Sequence, residues 1–528
     1  MKTLPQIQSA EELEKVLLKN RGLKSVKQID QFYNPKLEYF QKELKIPGIK
    51  SAVSRIDQAI KNSEKIIVYG DYDADGLTAA ATVYLAIRKK GGDILPYIPH
   101  REKEGYGLSK LGLDWCQEKK AKLVITVDNG IVAFDAAKYS KHKEMDLIIT
   151  DHHVALEKLP PSLAIVHSTI MSGVGVAWAL IKGLVGDDEA RQYLDLAAIG
   201  SICDLIPLIG VNRSLVKEGL KIINRSPRVG LQALIKECKL EGEITAQHIS
   251  HIIGPRINAV GRLDSAMDGL RLFCTQEPDK AKILARRLSS SNDLKKQLTD
   301  NAIQQARDQI GQIKNDIKIV ILQSETWIPG IIGLMAGKIA EEYKLPTIII
   351  SRGKLISKAS ARTVNGLDII KTIRNYSDLL IDVGGHPKAA GFTIETKKIE
   401  HFSQKISQDL KGFDLSNTRN SLVEVLAEIK KISKSWLQVQ DKFEPFGIDN
   451  PRPLFRGINV RVDDLKTVGA GKHLKLKVDG IEAIAFSMGE YEKLLKPGSF
   501  ININFYPEIN RFNGSEILQL KIVDLKID

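Results

Sequence analysis

Cysteines and long hydrophobic runs are scarce in this sequence. The four cysteines, Cys116, Cys203, Cys238 and Cys274, include no CxxC pair, so the sequence predicts neither a disulfide framework nor a zinc knuckle. The apolar runs, of which 205–209 is typical, are too short to span a bilayer. The first residues also lack the apolar core of a signal peptide. We therefore expect a protein of the reducing cytoplasm, with no membrane partner.

Acidic residues are outnumbered by basic ones. Lysine and arginine total 77 against 64 acids, which gives a formal net charge of +13. A basic surplus favours a polyanionic partner such as nucleic acid. The 528 residues exceed what one compact core accommodates, so we expect about three or four structural units.

The first half of the chain alternates short apolar segments with helix-like ones. Short helices are predicted over 10–19 and 52–61. Predicted strands follow, with helices such as 77–90 between them: 65–69, 94–98, 123–126 and 147–150. This alternation is typical of an α/β fold with a parallel sheet covered on both faces. Ligands of such sheets bind at the carboxyl ends of the strands.

The second half is predicted to contain a helical connector and a second α/β lobe. Residues 214–315 are mostly helical, with one long helix over 279–313 connecting the two lobes. The second lobe begins at Ile317, and three of its features can be predicted: a helix over 331–343, a strand over 347–351 and a Gly-rich turn at 384–386.

The last part of the chain is predicted to form a small OB-like β-barrel after a polar linker at 411–420. The barrel is expected from five short strands: 461–462, 474–478, 483–486, 500–505 and 517–523. The units expected for the whole chain are 1–60, 61–225, 226–315, 316–412 and 421–528. We expect truncation in the linker to leave both lobes folded. Because every metal-ligand candidate described below lies at or before Asp204, removal of the barrel should not affect the chemistry.

An acidic loop directly follows the first strand. Asp71, Asp73 and Asp75 alternate with other residues there, so several carboxylates can point at one hard cation. A calcium-binding EF-hand loop would need its closing Glu at Thr82, so that reading fails. A solvated acidic turn explains this loop alone equally well.

Three further acidic or histidine sites follow successive elements. Asp128 comes after the third strand, Asp151-His152-His153 after the fourth, and Asp204 after a helix-like segment at 194–203. A lone strand-end Asp is often only a helix cap, and a lone His is rarely a ligand. Four such sites in one α/β unit instead favour a centre for divalent cations, the arrangement that phosphodiester hydrolysis requires.

These motifs together resemble a known family. GDYDADG, VDNG, DHH and SICDLIP are similar to the motifs of the DHH phosphoesterase superfamily, and 384–392 resembles its associated substrate-binding domain. Three more segments resemble the RecJ exonuclease family: Arg101 with 104–108, then 255–262, then Glu444-Pro445-Phe446-Gly447 with Asn450-Pro451. The resemblance covers nearly the whole chain, in the family's order, and implies a DHH catalytic domain over 61–225.

The resemblance implies roles for the acidic and histidine residues, with Mn²⁺ or Mg²⁺ as the cofactor. Asp73 would bind one ion and Asp75 the other, and Asp128 would bridge both. His152 and Asp204 would complete the second site.

Two neighbouring residues are assigned catalytic roles, and one departs from the superfamily pattern. His153 would lie near the scissile phosphate, and Asp71 would be a supporting acid or an outer ligand. Many members of the superfamily have a histidine where this chain has Tyr69. A neutral tyrosine is a poor ligand for these ions, so we expect the first site to be one ligand short until substrate binds.

Substrate-binding candidates combine cationic, hydroxyl and backbone N–H donors suited to phosphate. They are Arg101, Arg256, Arg262, Ser360, Arg362, Gly384, Gly385, His386 and Lys388. A surface ion pair is the alternative role for each arginine, and an ordinary loop role for His386. In the barrel, basic and aromatic residues suit a single strand, although most of these Phe residues are expected in the core. They are Lys466, Lys472, His473, Lys475, Lys477, Phe486, Phe500, Phe505 and Phe512.

The residues themselves support metal-assisted hydrolysis of a phosphodiester, and the resemblance implies the substrate. It implies a 5′-to-3′ exonuclease of single-stranded DNA in recombination and repair, with a single-strand-binding protein and a helicase as candidate partners. Two alternatives remain open: a phosphodiesterase for short oligonucleotides or cyclic dinucleotides, and a replication scaffold without catalysis. The barrel disfavours the first alternative, and the intact acidic set disfavours the second.

Overall fold

The structure is a computed structural model that describes residues 4–101, 104–105, 107–263, 265–311, 317–364, 366–412, 423–512 and 515–527. The chain divides into two compact units. The first consists of Met1–Gly254 together with Ser421–Asp528, and the second of Pro255–Asn420. Among the helices of the described ranges, none is long and apolar enough to cross a membrane.

The chain begins with a short strand and three helices. They are β1 (Gln6–Ile7), α1 (Ala10–Asn20), α2 (Val26–Tyr33) and α3 (Ile49–Lys61). Ser9 caps α1 through the backbone N–H of Glu12, and Ser25 forms a reciprocal capping box with Gln28 at the start of α2. The helices predicted over 10–19 and 52–61 are therefore confirmed as α1 and α3, whereas β1 and α2 were not predicted.

A five-stranded parallel sheet forms the centre of the first unit, in the order β3-β2-β4-β5-β6. Its strands are β2 (Ile66–Tyr69), β3 (Ile94–Tyr97), β4 (Leu123–Val127), β5 (Asp146–Asp151) and β6 (Ala164–His167). The helices of this region are α4 (Ala74–Lys89), α5 (Lys110–Glu118), α6 (Phe134–His142), α7 (Gly173–Val185), α8 (Asp187–Arg191), α9 (Leu194–Cys203), α10 (Gly210–Arg225), α11 (Val229–Glu237) and α12 (Ala246–His248). Residues of β2 and β4 are fully buried on both faces, as predicted for a sheet covered by helices.

The second unit contains the long helix and a mixed sheet. Its helices are α13 (Gly254–Leu263), α14 (Met267–Cys274), α15 (Pro278–Ile310), α16 (Pro329–Tyr343), α17 (Ile369–Arg374) and α18 (Ile399–Asp409). Its strands are β7 (Val320–Ser324), β8 (Thr347–Ser351), β9 (Ile356–Arg362), β10 (Leu380–His386) and β11 (Ala389–Glu395). The sheet order is β10-β11-β9-β8-β7, with only β7 and β8 parallel.

The prediction of a Gly-rich turn at 384–386 is wrong. Gly384, Gly385 and His386 end strand β10, where they pair with Gly391, Ala390 and Ala389 of β11. Glycine suits this position because Gly385 has φ of 146° and a side chain there would collide with the backbone of Ala389. The turn itself follows at 387–388.

The C-terminal part of the first unit forms a closed barrel. Its elements are β12 (Val423–Ala427), α19 (Lys434–Phe443), β13 (Leu454–Val468), β14 (His473–Val478), β15 (Ile481–Ala485), β16 (Phe500–Phe512) and β17 (Ser515–Ile527). Pairing of β13 with β16 closes the ring of β13, β14, β15, β17 and β16, as predicted for an OB-fold. The strands are longer than predicted. For example, β13 has 15 residues. Its full length was not predicted because register shifts and polar positions interrupt the alternation of polar and apolar residues that indicates a strand in sequence.

The N-terminal segment shares one hydrophobic core with this barrel. Ile7, Leu13, Leu17 and Phe32 pack in the same buried cluster as the barrel residues, and β1 pairs with β12. Removing the barrel would therefore expose those N-terminal side chains to water, and whether the two lobes fold without the barrel stays a prediction. Residues 413–420 of the predicted linker lie outside the described residues.

Candidate active site

The acidic and histidine motifs meet at the carboxyl end of the parallel sheet. Strands β2, β4 and β5 are neighbours, so the loops that follow them are adjacent. These loops contain the DYDAD, VDNG and DHH motifs. Asp204 joins them from the C-terminal end of α9. The sequence therefore predicted correctly that these four motifs converge.

His152 lies at the centre of one group of possible metal ligands. Its Nε2 atom is 3.1 Å from Asp128 Oδ1, 3.7 Å from Asp204 Oδ2 and 3.9 Å from Asp75 Oδ2. The ligand atoms of Asp75, His152 and Asp204 all lie within 4.8 Å of one another, a spacing that one cation can span.

A second group lies on the other side of Asp128. Ligand atoms of Asp71, Asp73 and Asp128 also lie within 4.8 Å of one another, and so do those of Asp128, His152 and His153. Asp128 thus belongs to two of the three groups, and it adjoins the third through His152 Nε2, which lies 3.1 Å from Asp128 Oδ1. Asp71 belongs to this group together with Asp73, whereas the family resemblance implied a supporting acid or an outer ligand at Asp71.

Burial and mutual repulsion raise the pKa values of four of these carboxylates, so a bound cation would stabilise their ionised forms. Burial, with the charge of Asp73, raises the pKa of Asp75 to about 7. Burial, with the charge of Asp75, raises the pKa of Asp204 to about 9. The same causes raise the pKa of Asp128 and of Asp71, whose buried Oδ1 atom accepts no hydrogen bond from the described residues. Hard oxygen ligands with one imidazole fit Mn²⁺ or Mg²⁺.

Backbone groups fix the carboxylates of the first loop. Asp73 caps α4 and accepts hydrogen bonds from the N–H groups of Asp75 and Gly76, each at 3.0 Å. The two oxygens of Asp75 accept from Gly173 at 2.7 Å and Val174 at 2.8 Å, at the N-terminus of α7. These bonds stabilise the ionised carboxylates in fixed orientations.

Gly173 was not predicted as a site residue, but its lack of a side chain makes room for the centre. A Cβ atom there would lie 2.5 Å from Asp128 Oδ1. Asp128 itself has φ of 61°, a left-handed conformation that Asp tolerates better than most residues. No sequence pattern indicated Gly173, because it approaches Asp128 only through the packing of α7.

Asp151 positions His153 and was not among the predicted site residues. Its Oδ1 atom lies 2.7 Å from His153 Nδ1 and accepts from the N–H groups of His152 and His153, while Oδ2 accepts from Ile131 at 2.9 Å. Burial disfavours the charged form of His153, but the hydrogen bond and charge of Asp151 raise its pKa overall. The signal was present, since Asp151 opens the DHH motif.

Tyr69 is fully buried in a hydrophobic cluster with Tyr97 and Trp115. Its hydroxyl lies 3.3 Å from both Gly107 O and Ser109 Oγ. A tyrosine so placed fills the core. Whether the first site gains a ligand from substrate stays a prediction.

Arg101 lies beside the acidic loop. Its guanidinium carbon is 5.1 Å from the centre of the Tyr72 ring, and its charge partly offsets the raised pKa of Asp71. Part of the neighbouring motif, including Tyr106, lies outside the described residues. The position of Arg101 next to the acids is compatible with a role in binding phosphate.

Other predicted substrate residues belong to the second unit, where the sheet groups several of them. The register of β9, β11 and β10 aligns Arg362 with Ala389 and Ala389 with His386. Arg362 Nη1 donates to Ser360 Oγ at 3.2 Å, and burial lowers the pKa of its guanidinium. Gly384, Gly385, His386 and Lys388 are exposed at the edge.

Helical residues of the second unit form another cationic group. Arg256 Nε donates to Ser289 Oγ, and Arg262 Nη1 donates to Gly330 O, each at 3.1 Å. Lys295, which the sequence did not single out, lies close enough that burial and the charge of Arg262 lower its pKa to about 8. It was overlooked because it lies inside a long helix rich in other lysines.

The barrel exposes some of the predicted aromatic residues and buries others. Phe486 and Phe500 are 51% and 48% exposed, whereas Phe505 is buried in the core. The Phe486 ring lies 5.2 Å from that of His473 and 5.7 Å from Lys521 Nζ. The side chain of Phe512 lies outside the described residues. Lys466, Lys472 and Lys477 are exposed, and Lys475 pairs with Glu482 at 3.0 Å.

Comparison with known proteins identifies the relatives of this chain. Three family models match: the DHH family N-terminal domain over 65–201, the DHHA1 domain over 316–412 and the RecJ OB domain over 423–524. The single-stranded-DNA-specific exonuclease RecJ of Bacillus subtilis is 32% identical over 532 residues, which cover 97% of this chain and 67% of that protein.

Solved structures match over the same extent. The Mn²⁺ complex of RecJ from Thermus thermophilus has a TM-score of 0.84 at 27% identity, covering 98% of this chain and 76% of that one. The Mg²⁺ complex of the same protein has a TM-score of 0.78 at 26% identity, covering 98% and 74%. Motifs, fold and relatives agree, and the chain belongs to the RecJ family.

Proposed function

We propose that the chain is a metal-dependent exonuclease that hydrolyses the phosphodiester bonds of single-stranded DNA from the 5′ end. The observation that carries this proposal is a set of three overlapping groups of ligand atoms: Asp71, Asp73 and Asp128; Asp128, His152 and His153; and Asp75, His152 and Asp204. The substrate is supported by family membership and by the names of the relatives, which are single-stranded-DNA-specific exonucleases. The polarity is what the family resemblance implies.

The proposed metal ligands are Asp73, Asp75, Asp128, His152 and Asp204, with Asp71 as a further ligand or supporting acid. Mn²⁺ and Mg²⁺ are the ions in the matched RecJ structures. When bound, two such ions activate a water molecule and neutralise the leaving oxygen. The raised pKa values of Asp75 and Asp204 fit this assignment, because bound cations would stabilise both groups in the ionised form.

His153 is proposed to contact the scissile phosphate. The hydrogen bond from its Nδ1 atom to Asp151 fixes the ring and favours the imidazolium. A protonated ring can donate a charge-assisted hydrogen bond to a phosphate oxygen. His153 would thus orient the phosphate and stabilise the charge that develops on it.

Substrate binding is proposed to use the cationic groups and the barrel. Arg101 lies beside the acidic loop, and Ser360 and Arg362 adjoin the β10–β11 hairpin. Planar guanidinium groups suit a terminal phosphate. On the barrel, the exposed Phe486 and Phe500 offer rings on which bases can stack.

Labelled DNA tests the proposal directly. Single strands and duplexes labelled at the 5′ or 3′ end are incubated with Mn²⁺, and with EDTA as the control. We expect the 5′ label to be released first, from single strands only and only with metal. Release from the 3′ end first would contradict the proposed polarity. Faster cleavage of dinucleotides than of long strands would support the small-substrate phosphodiesterase, and no cleavage would support the scaffold. A role in recombination and repair, the partner proteins and the cytoplasmic location stay predictions.

A further inference from the structure

The segment Glu444–Pro451 has no assigned role, although its sequence resembles the family. We call it the 444–451 turn. It connects α19 to the barrel strand β13, far along the chain from the acidic motifs. In the structure it lies against residues 205–208, which directly follow Asp204.

The contact between the 444–451 turn and residues 205–208 is both polar and apolar. Pro207 and Ile448 form a parallel β-bridge, and the N–H of Leu208 donates to Ile448 O at 2.9 Å. Gly447 packs directly on Leu208, so that an added Cβ would lie 2.6 Å from Leu208 Cδ1. Leu208 is only 2% exposed and has little room to turn away.

Buried polar groups hold the turn rigidly from the other side. Asn450 is fully buried, and its Nδ2 atom donates to Phe443 O and Pro445 O, each at 2.8 Å. Its Oδ1 atom accepts from Arg21 Nε at 2.7 Å. Arg213, 1% exposed, donates to Glu444 O at 2.7 Å and to Pro445 O at 3.2 Å. Removing one such buried partner would leave a polar group without a hydrogen bond and destabilise the turn.

Residues 205–208 depend on these contacts because they form no helix or strand of their own. Asn212 Nδ2 also holds them, by donating to Pro207 O at 3.1 Å, and Leu205 has φ of 59°. Asp204 itself caps α9 through its N–H to Gly200 O at 2.9 Å, and the last hydrogen bond to α9 comes from the N–H of Leu205 to Ile202 O at 3.3 Å. The position of the Asp204 carboxylate therefore depends on the end of α9 and on residues 205–208, which the 444–451 turn holds in place.

We propose that the 444–451 turn is a positioning element that fixes the Asp204 carboxylate in the metal centre. The barrel then contributes to the chemistry as well as to strand binding. The inference rests on the proposed function, in which Asp204 is a metal ligand. It predicts that a small displacement of Leu208 weakens metal binding without weakening strand binding.

Two glycine substitutions give a matched test. In Gly447→Ala the new Cβ meets Leu208, whereas in Gly457→Ala it lies 2.7 Å from Val460 Cγ2, inside the barrel. Mn²⁺ affinity is measured by calorimetry, and kcat and KM on an oligomer too short to reach the barrel. For Gly447→Ala we expect about 10-fold weaker binding of one ion and a similar fall in kcat, with KM nearly unchanged. Gly457→Ala should keep wild-type metal affinity at a comparable loss of melting temperature.

Removing the collision between Leu208 and the new Cβ at position 447 gives a second test. In the double variant Gly447→Ala with Leu208→Ala, the colliding atoms are gone, so Mn²⁺ affinity should recover towards that of Leu208→Ala alone. Equal Mn²⁺ affinity in the wild type, Gly447→Ala and Gly457→Ala would overturn the inference while leaving the proposed nuclease intact. A wild-type chain that binds Mn²⁺ but cleaves no DNA would instead overturn the proposed function.

Discussion

The metal-centre region of the first unit and the cationic residues of the second, on β9 and on α15, bury charges of opposite sign. Around Asp128, buried carboxylates repel one another, and the pKa of Asp75 is raised to about 7 and that of Asp204 to about 9. In the second unit, burial lowers the pKa of Arg362 and that of Lys295, the latter to about 8. Arg362 donates to Ser360 Oγ and Ala361 O, and Lys295 donates to Pro255 O and Asn292 Oδ1, all of which are neutral oxygens.

A counter-charge from outside the chain would therefore stabilise each region. Cations suit the carboxylates, whereas phosphate suits the buried guanidinium and ammonium groups. A metal-dependent nuclease needs both, and the chain keeps them in separate units. The difference shows why removing single charges should affect the two regions in distinct ways.

The largest effect is expected from a substitution in the acidic region. Asp128→Asn keeps the size of the side chain but removes the charge shared by both ligand groups, so the cleavage rate should fall about 100-fold or more. The Mn²⁺-induced rise in melting temperature should disappear, while the metal-free protein should be at least as stable as the wild type. Asp135→Asn, at an exposed position on α6, is the control. Near-wild-type activity of Asp128→Asn would show that Asp128 has only a structural role.

A smaller effect is expected when a charge is removed from the cationic region of the second unit. Arg362→Ala should lower the preference for a 5′-phosphorylated over a 5′-hydroxyl strand by about 10-fold, because charge-assisted hydrogen bonds contribute roughly 1.5–3 kcal/mol. Arg362→Lys should restore only part of it, since the planar fork is lost. Arg352→Ala, whose guanidinium pairs with Glu325, serves as the control. Equal losses on both kinds of end would make Arg362 part of a nonspecific electrostatic surface.

A third substitution tests the barrel surface, where stacking on an aromatic ring is proposed to matter more than charge. Phe486→Ala should weaken binding of long single strands by about fivefold, because stacking on one ring contributes roughly 1–3 kcal/mol and this ring is half exposed. Cleavage of a very short oligomer should not change. Ile517→Ala removes an equally exposed side chain without a ring. Equal losses for the two variants would exclude stacking as the cause.

The smallest effect concerns stability in the absence of metal. The folded pKa values of Asp75 and Asp204, about 7 and about 9, exceed the ordinary value of 3.8. Raised values mean that the stabilising contribution is present at low pH and is lost as the pH rises through them. With EDTA, the melting temperature should therefore fall from about pH 4 to about pH 9, and saturating Mn²⁺ should flatten this slope. Identical slopes with and without Mn²⁺ would contradict a metal centre at these acids.

Much of the site could be predicted because its residues follow regular elements. Asp73, Asp128 and His152 follow buried strands whose apolar runs are easy to recognise, and parallel strands bring their carboxyl ends together. Asp151 and Lys295 were missed although both are near predicted residues. Their importance depends on which atom each one contacts, and sequence does not contain that information.

The sequence by itself determined the order of the domains, the parallel sheet and the acidic motifs at its edge, because periodicity and loop chemistry are local properties. Only the tertiary structure decided that Gly173 makes room for Asp128, that the N-terminal helices complete the barrel core, and that the 444–451 turn reaches the segment after Asp204. These contacts join residues far apart in the chain. They arise from close packing, which depends on the shapes of both partners and leaves no periodic pattern in either segment.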